Sequence, residues 1–140
     1  MKKIILIIIM LAFSTLSVFS YGLSICGGGA YAFKCIGFLQ ALSEEGFSPD
    51  EIACTSLGSI AGYFMACGYD MTYVHKLFSM ISFTDLFDIS LPVNGGFLNS
   101  SRLGDFISFS SGCDSYIDMQ STLKMAALNM NTLNVEFLDK

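Results

Sequence analysis

Residues 51–67 read EIACTSLGSIAGYFMAC, and the fold turns on how they are parsed. Glu51 to Thr55 is a short strand, preceded by the turn Ser48-Pro49-Asp50. Ser56 stands at its end. Leu57 to Cys67 is a helix rich in small residues, stopped by Gly68. Gly58, Ala61, Gly62 and Ala66 allow that helix to approach the strand closely. A serine between a strand and a helix of this kind occupies the place of a nucleophile elbow, where a sharp turn lifts the hydroxyl out of the sheet. The elbow would be Cys54-Thr55-Ser56-Leu57-Gly58, with Ser56 as the nucleophile. The N–H of Leu57, at the start of the helix, is available to an oxyanion.

One unit upstream, residues 22–46 read GLSICGGGAYAFKCIGFLQALSEEG. Gly22 to Cys26 is a short apolar run that reads as a buried strand. Ala30 to Glu45 is a helix with Phe33, Ile36, Leu39 and Leu42 on one face, and Gly46 is its stop. Between them lies the loop Gly27-Gly28-Gly29-Ala30-Tyr31-Ala32. Its glycines let the backbone pass close to a ligand. Unpaired N–H groups at the start of the following helix suit a phosphate or the oxyanion of a tetrahedral intermediate. The loop alone also matches a dinucleotide-binding fingerprint. That reading needs an acidic residue at the carboxyl end of the second strand, to reach a ribose. Asp50 and Glu51 lie at that strand's start, and its end is held by Thr55 and Ser56. The pair of turns therefore favours acyl transfer.

Downstream, Asp70 caps a helix from Met71 to Ile81, with Val74, Leu77, Phe78 and Ile81 on one face. Residues 82–98 look irregular, with Pro92 and Asn94-Gly95-Gly96 as breakers. Asn99 or Ser100 opens a helix to about Phe109, and Leu123 to Asn129 and Val135 to Leu138 are strands on either side of Asn131-Thr132. Strands and helices that alternate in this way imply an α/β fold with a mainly parallel sheet. Of the 140 residues, 53% are hydrophobic and only 14% charged, which excludes a disordered chain. One domain is expected.

The N-terminus has the anatomy of a secretory signal peptide over residues 1–20: Lys2-Lys3, an apolar run from Ile4 to Phe13, then smaller residues up to Val18-Phe19-Ser20. It implies a secreted or extracytoplasmic protein. The alternative is an uncleaved membrane anchor formed by residues 4–20. Without Lys2 and Lys3, five basic residues stand against twelve acidic ones, a net charge of −7. No basic patch remains, which argues against nucleic acid as a partner. The five cysteines, Cys26, Cys35, Cys54, Cys67 and Cys113, include no C-x-x-C pair, and His75 is the only histidine, so no metal site is expected. Core packing is the expected role of all five thiols.

The stretches quoted above, together with DLFD at 85–88, GGFLNSSRLGDFI at 95–107 and LKMAALNMNTLNVEF at 123–137, resemble the patatin-like phospholipase family. The resemblance covers nearly everything after residue 20. It implies a patatin-like three-layer fold, a mainly parallel sheet flanked by helices. Residues 21–140 would form a partial, C-terminally truncated domain of this type. It implies acyl-ester hydrolysis by a Ser–Asp dyad without cofactor or metal, on a phospholipid or acylglycerol, and association with a membrane surface. The nucleophile maps onto Ser56 and the oxyanion hole onto Gly27, Gly28 and Gly29. His75 is then a surface or packing residue.

Four departures stand out. Tyr31 occupies a position where the family has Arg or Lys, Ala32 one where it has Gly, and Cys54 the first position of the elbow, which is usually Gly. The fourth is the family's catalytic aspartate, which sits in an Asp-Gly motif, a pair this sequence lacks. Asp85, Asp88, Asp105, Asp114 and Asp118 suit capping or surface roles. The dyad Asp is therefore expected beyond this chain. The alternative is a non-catalytic relative that binds lipid or a protein partner.

Overall fold

Side chains of β2 (Glu51–Thr55) alternate between solvent and core, with Ile52 and Cys54 inward and Glu51, Ala53 and Thr55 exposed. This period of two fixes which face of the sheet is covered. The computed structural model describes residues 20–89, 98–113 and 115–139. The expected signal peptide, but for Ser20, and the breakers Pro92 and Asn94–Gly96 lie outside the described residues.

β1 (Gly22–Ile25) runs parallel to β2, with Ile25 beside Cys54. β5 (Thr122–Asn129) runs parallel on the other side of β2, with Leu123 beside Ile52. β6 (Asn134–Leu138) closes an antiparallel hairpin on β5, which gives the order β1-β2-β5-β6. Asn129 shapes that hairpin: its Oδ1 accepts from the N–H groups of Asn131 and Thr132. A single cluster among the described residues joins Ile25, Ile52, Cys54 and Leu123 to the helices. These four share one face of the sheet by register, so the helices cover that face alone. On the opposite face Glu51 and Ala53 are exposed, and Glu51 meets Lys124 at 3.8 Å. The described residues thus supply two of the three expected layers, helices and sheet. One consequence corrects the reading of β1 as a buried strand: it is an edge strand covered on one side, and only Ile25 is buried.

The helices follow the local chemistry. α1 (Ala32–Glu44) is entered through a single turn of 3-10 helix, Gly29–Tyr31, and buries Ala32, Ile36 and Leu39. It ends in a Schellman motif, in which Phe47 N–H donates to Leu42 O and Gly46 N–H to Ser43 O, both at 3.0 Å. α2 (Gly58–Ala66) ends the same way, through Tyr69 to Phe64 and Gly68 to Met65. α2 lies directly on β2, where a Cβ at Gly62 would stand 3.0 Å from Cys54 Sγ. α3 (Met71–Ser79) packs against α1 and is capped as expected, Asp70 Oδ1 accepting from Thr72 N–H at 2.8 Å.

The stretch expected to be irregular after residue 82 contains more order than that. Asp85 reaches back to the start of α4 (Phe83–Leu86) as in one half of a capping box, its Oδ2 accepting from both Ser82 N–H and Ser82 Oγ. These bonds hold the Asp85 carboxyl below its usual range. β3 (Asp88–Ile89) and β4 (Leu98–Asn99) then pair antiparallel, ahead of α5 (Ser101–Ser110). Packing of all five thiols in the core is also corrected. Cys54 alone is buried; Cys26 is exposed, and Cys35, Cys67 and Cys113 are half-buried. Cys26 has left β1 for the glycine loop, while Cys67 and Cys113 lie at a helix end and a connecting segment, where one side faces solvent.

Candidate active site

Adjacent parallel strands release the chain at the same edge of a sheet. The carboxyl ends of β1 and β2 therefore bring the glycine loop and Ser56 together. Ser56 has φ of +54°, a left-handed conformation that is costly for a residue with a Cβ. Two close approaches hold it there. A Cβ on Gly58 would lie 2.5 Å from Cys26 O, so the first turn of α2 can rest on the end of β1 only with a hydrogen at that position. A Cβ on Gly27 would lie 2.6 Å from Ser56 Cβ and 3.3 Å from its Oγ. The serine side chain thus sits directly above the bare backbone of Gly27.

Ser56, Gly28 and Gly29 are exposed, and Leu57 is half-buried. Among the described residues the N–H groups of Gly28 and Leu57 have no backbone acceptor, while Gly28 O accepts from Tyr31 N–H at 3.2 Å. An alcohol lying beside unpaired amides has the makings of an acyl-transfer site: a nucleophile and donors for the charge that develops on a carbonyl oxygen.

The departures noted in the sequence acquire locations. Cys54 does not crowd the turn, because its side chain points down beneath α2 into the space left by Gly62. Burial pushes its thiol up from the ordinary value, a hydrogen bond with Ser59 acting the other way, so it stays protonated. Ala32 is buried at the start of α1. Tyr31 is exposed, and Lys34 Nζ stands 4.6 Å from its ring centroid, within cation–π range. A positive charge is therefore held near the loop from one turn further along the helix.

No carboxylate or imidazole hydrogen-bonds to Ser56 among the described residues. His75 bridges α3 to Gln40 on α1. Asp85 caps α4, and Asp88 pairs with Arg102 at 3.0 Å. Asp105 and Asp118 are exposed, and Asp114 lies outside the described residues.

A cavity of about 420 Å³ lies elsewhere, between α2, α5 and β5, with Tyr63, Ser111, Cys113 and Met125 in its wall. None of its lining residues belongs to either turn. Sequence reasoning missed the polar group at its side. Tyr63 donates to Cys113 O at 2.6 Å and shares a 2.7 Å hydrogen bond with Ser111 Oγ. Burial lifts the Tyr63 hydroxyl from 10.0 to about 12, and burial with the neighbouring Cys113 lifts the Cys67 thiol from 9.0 to about 12. Groups raised in the folded state lend stability that is whole below their unfolded pKa values and lost as pH rises through the folded ones. Thermal stability should therefore fall between about pH 9 and pH 12. Tyr63→Phe should flatten that fall, and equal slopes in thermal melts of the two proteins would count against this account.

The sequence profile described as patatin-like phospholipase matches residues 23–134. A lysophospholipase NTE1 of Kluyveromyces lactis is 39% identical over 61 residues, which is 44% of this chain and 4% of that protein. The lysophospholipase NTE1 of Saccharomyces cerevisiae is 39% identical over 54 residues, 39% of this chain and 3% of that protein. That of Candida glabrata is 46% identical over 50 residues, 36% of this chain and 3% of that protein. The match thus spans only a few per cent of the length of these relatives.

Proposed function

The chain belongs to the patatin-like phospholipase family, and on that premise we propose that it carries the nucleophile side of a lipid acyl hydrolase. Ser56 Oγ attacks the acyl carbonyl of a phospholipid or acylglycerol. The N–H groups of the loop Gly27-Gly28-Gly29, with that of Leu57, receive the oxyanion. An aspartate carried outside these 140 residues takes the serine proton and gives it to the leaving alcohol. The same carboxylate then activates the water that releases the fatty acid. The observation that carries this reading is the left-handed Ser56 resting on Gly27, at the carboxyl ends of two adjoining parallel strands. Similarity to lysophospholipases favours a lysophospholipid among the substrates. In this reading residues 1–20 export the chain, or residues 4–20 remain as its anchor.

A second reading rests on one specific observation: no acid or base reaches Ser56 among the described residues. In it the domain is non-catalytic and binds lipid or a protein partner. A serine-directed fluorophosphonate probe separates the two. The full open reading frame should be labelled at Ser56 and should hydrolyse lipid esters, whereas residues 21–140 alone should show almost no turnover. A full frame that takes no label at Ser56 leaves the non-catalytic reading standing, and brisk turnover by residues 21–140 would remove the external aspartate.

Gly27→Ala should show the dependence of Ser56 on its support. The added methyl must displace Ser56 or the strand end, at a cost of about 1–3 kcal/mol in urea unfolding. Misplacement of a nucleophile by an ångström costs about 10²-fold in rate, so labelling should slow by that order. Labelling at an unchanged rate would mean that the close approach does not position the serine.

A further inference from the structure

Cys67 and Cys113 are far apart in sequence, yet the fold brings them to one place. Cys67 caps the end of α2, its N–H donating to Tyr63 O at 2.9 Å. Two tyrosines flanking Cys67 hold the segment that carries Cys113. Tyr63 donates its hydroxyl to Cys113 O at 2.6 Å, and the Tyr69 hydroxyl accepts from Gly112 N–H at 2.8 Å. Both thiols are half-buried and free, and Cys113 Sγ donates to Ser115 O at 3.7 Å. They line one open cleft of about 230 Å³ together with Gly68, Tyr69, Gly112 and Asp118. Two free thiols on one solvent-open cleft are within reach of the same small-molecule oxidant.

We infer that Cys67 and Cys113 form a reversible disulfide, a redox-controlled staple across the excursion from Gly68 to Gly112. The oxidant is a small-molecule disulfide such as glutathione disulfide. Cys113 loses its proton and attacks one sulfur, expelling one glutathione thiolate and leaving a mixed disulfide. Cys67 then loses its proton, attacks the Cys113 sulfur and expels the second glutathione. Two protein thiols are oxidised, and one glutathione disulfide is reduced to two thiols.

The order of attack follows from the surroundings. Cys67 is held protonated by burial and by Cys113, with Asp118 adding to the effect and Tyr63 opposing it, which makes it the poorer first nucleophile. Once Cys113 is capped it can no longer ionise, and that part of the restraint on Cys67 disappears. The closed staple would tie α2 to the segment that leads into β5 and would fix one wall of the larger cavity, which Tyr63 and Cys113 share. An oxidising compartment would keep it closed, and a reducing one would open it.

The test uses the full reduced chain, incubated with excess glutathione disulfide and mapped by mass spectrometry without reduction. The expected product is a Cys67–Cys113 linked peptide, with Tm raised by roughly 10 °C and restored by dithiothreitol. Cys67→Ser should leave Cys113 as a stable glutathione adduct, whereas Cys113→Ser should leave Cys67 a free thiol. Cys67 and Cys113 recovered only as thiols, as separate adducts or in links to other cysteines would overturn the proposal. If either variant fails to fold, the peptide map of the unaltered chain decides alone.

Discussion

Ser56→Ala, made in the full reading frame, should abolish probe labelling and lower ester hydrolysis by more than about 10³-fold. Loss of a nucleophile costs up to about 10⁶-fold where the rest of the machinery is intact, and a remnant survives from oxyanion binding alone. The fold should not notice: the side chain is exposed, and its hydroxyl has no hydrogen-bond partner among the described residues. Ser56→Gly sharpens the test. It removes the same hydroxyl but relieves the cost of a Cβ at φ of +54°, which is about 1 kcal/mol. The glycine variant should therefore be inert and more stable than the parent in urea unfolding. Full activity in Ser56→Ala would place the nucleophile elsewhere. A less stable Ser56→Gly would mean that the turn stores no strain.

The second large effect is on stability. Phe64 is 0% exposed at the centre of the cluster, in edge-to-face contact with Tyr63, Tyr69 and Phe78 at centroid distances of 5.5–5.8 Å. α2 presents it to the core, and the Schellman bond from Tyr69 ends on its own carbonyl. Phe64→Ala should cost about 4 kcal/mol, the transfer free energy of the ring plus the cavity left behind. Domains of this size have about 5–15 kcal/mol in hand, so the variant should be close to unfolded at 37 °C. Phe38, 61% exposed on α1, supplies the control: Phe38→Ala should stay within about 0.5 kcal/mol. A Phe64→Ala loss below about 1.5 kcal/mol, measured by urea unfolding, would show that the neighbouring rings collapse into the space.

Where the sequence was informative, the signal was local. The turn, the strand and the helix around Ser56 are written in consecutive residues: alternation in Glu51–Thr55, small residues on the facing side of α2, glycine just past the ends of α1 and α2. The Asp70 cap and the Asn129 hairpin are of the same kind. What the sequence hid depends on partners far along the chain. Nothing near Gly22–Ile25 says that β1 is an edge strand covered on one face. No pattern links Tyr63 to Ser111, or Cys67 to Cys113, because the contacts form only after the excursion has folded back. The short helix after Ser82 is legible in part, since Ser82-Phe83-Thr84-Asp85 has the spacing of a capping box. The site shows the same division. Ser56 and its glycine neighbours were readable as two adjoining motifs, but their stacking, with Gly27 under the serine and Gly58 against Cys26 O, is a property of the packed sheet.

The parallel pairing of β2 with β5 also bears on how the chain reaches this state. β1, α1 and β2 need only neighbouring sequence to assemble, and the β5–β6 hairpin closes through four intervening residues, Met130–Leu133. The ladder between Ile52 and Leu123 must wait until everything from Ser56 to Ser121 has been gathered in, and the entropy of closing that loop is lost before any contact rewards it. Leu123, fully buried, is therefore a late arrival in the core. On a ribosome the serine turn would leave the tunnel well before the strand that seals it, and during that interval the apolar underside of β2 would be open to whatever else is nearby.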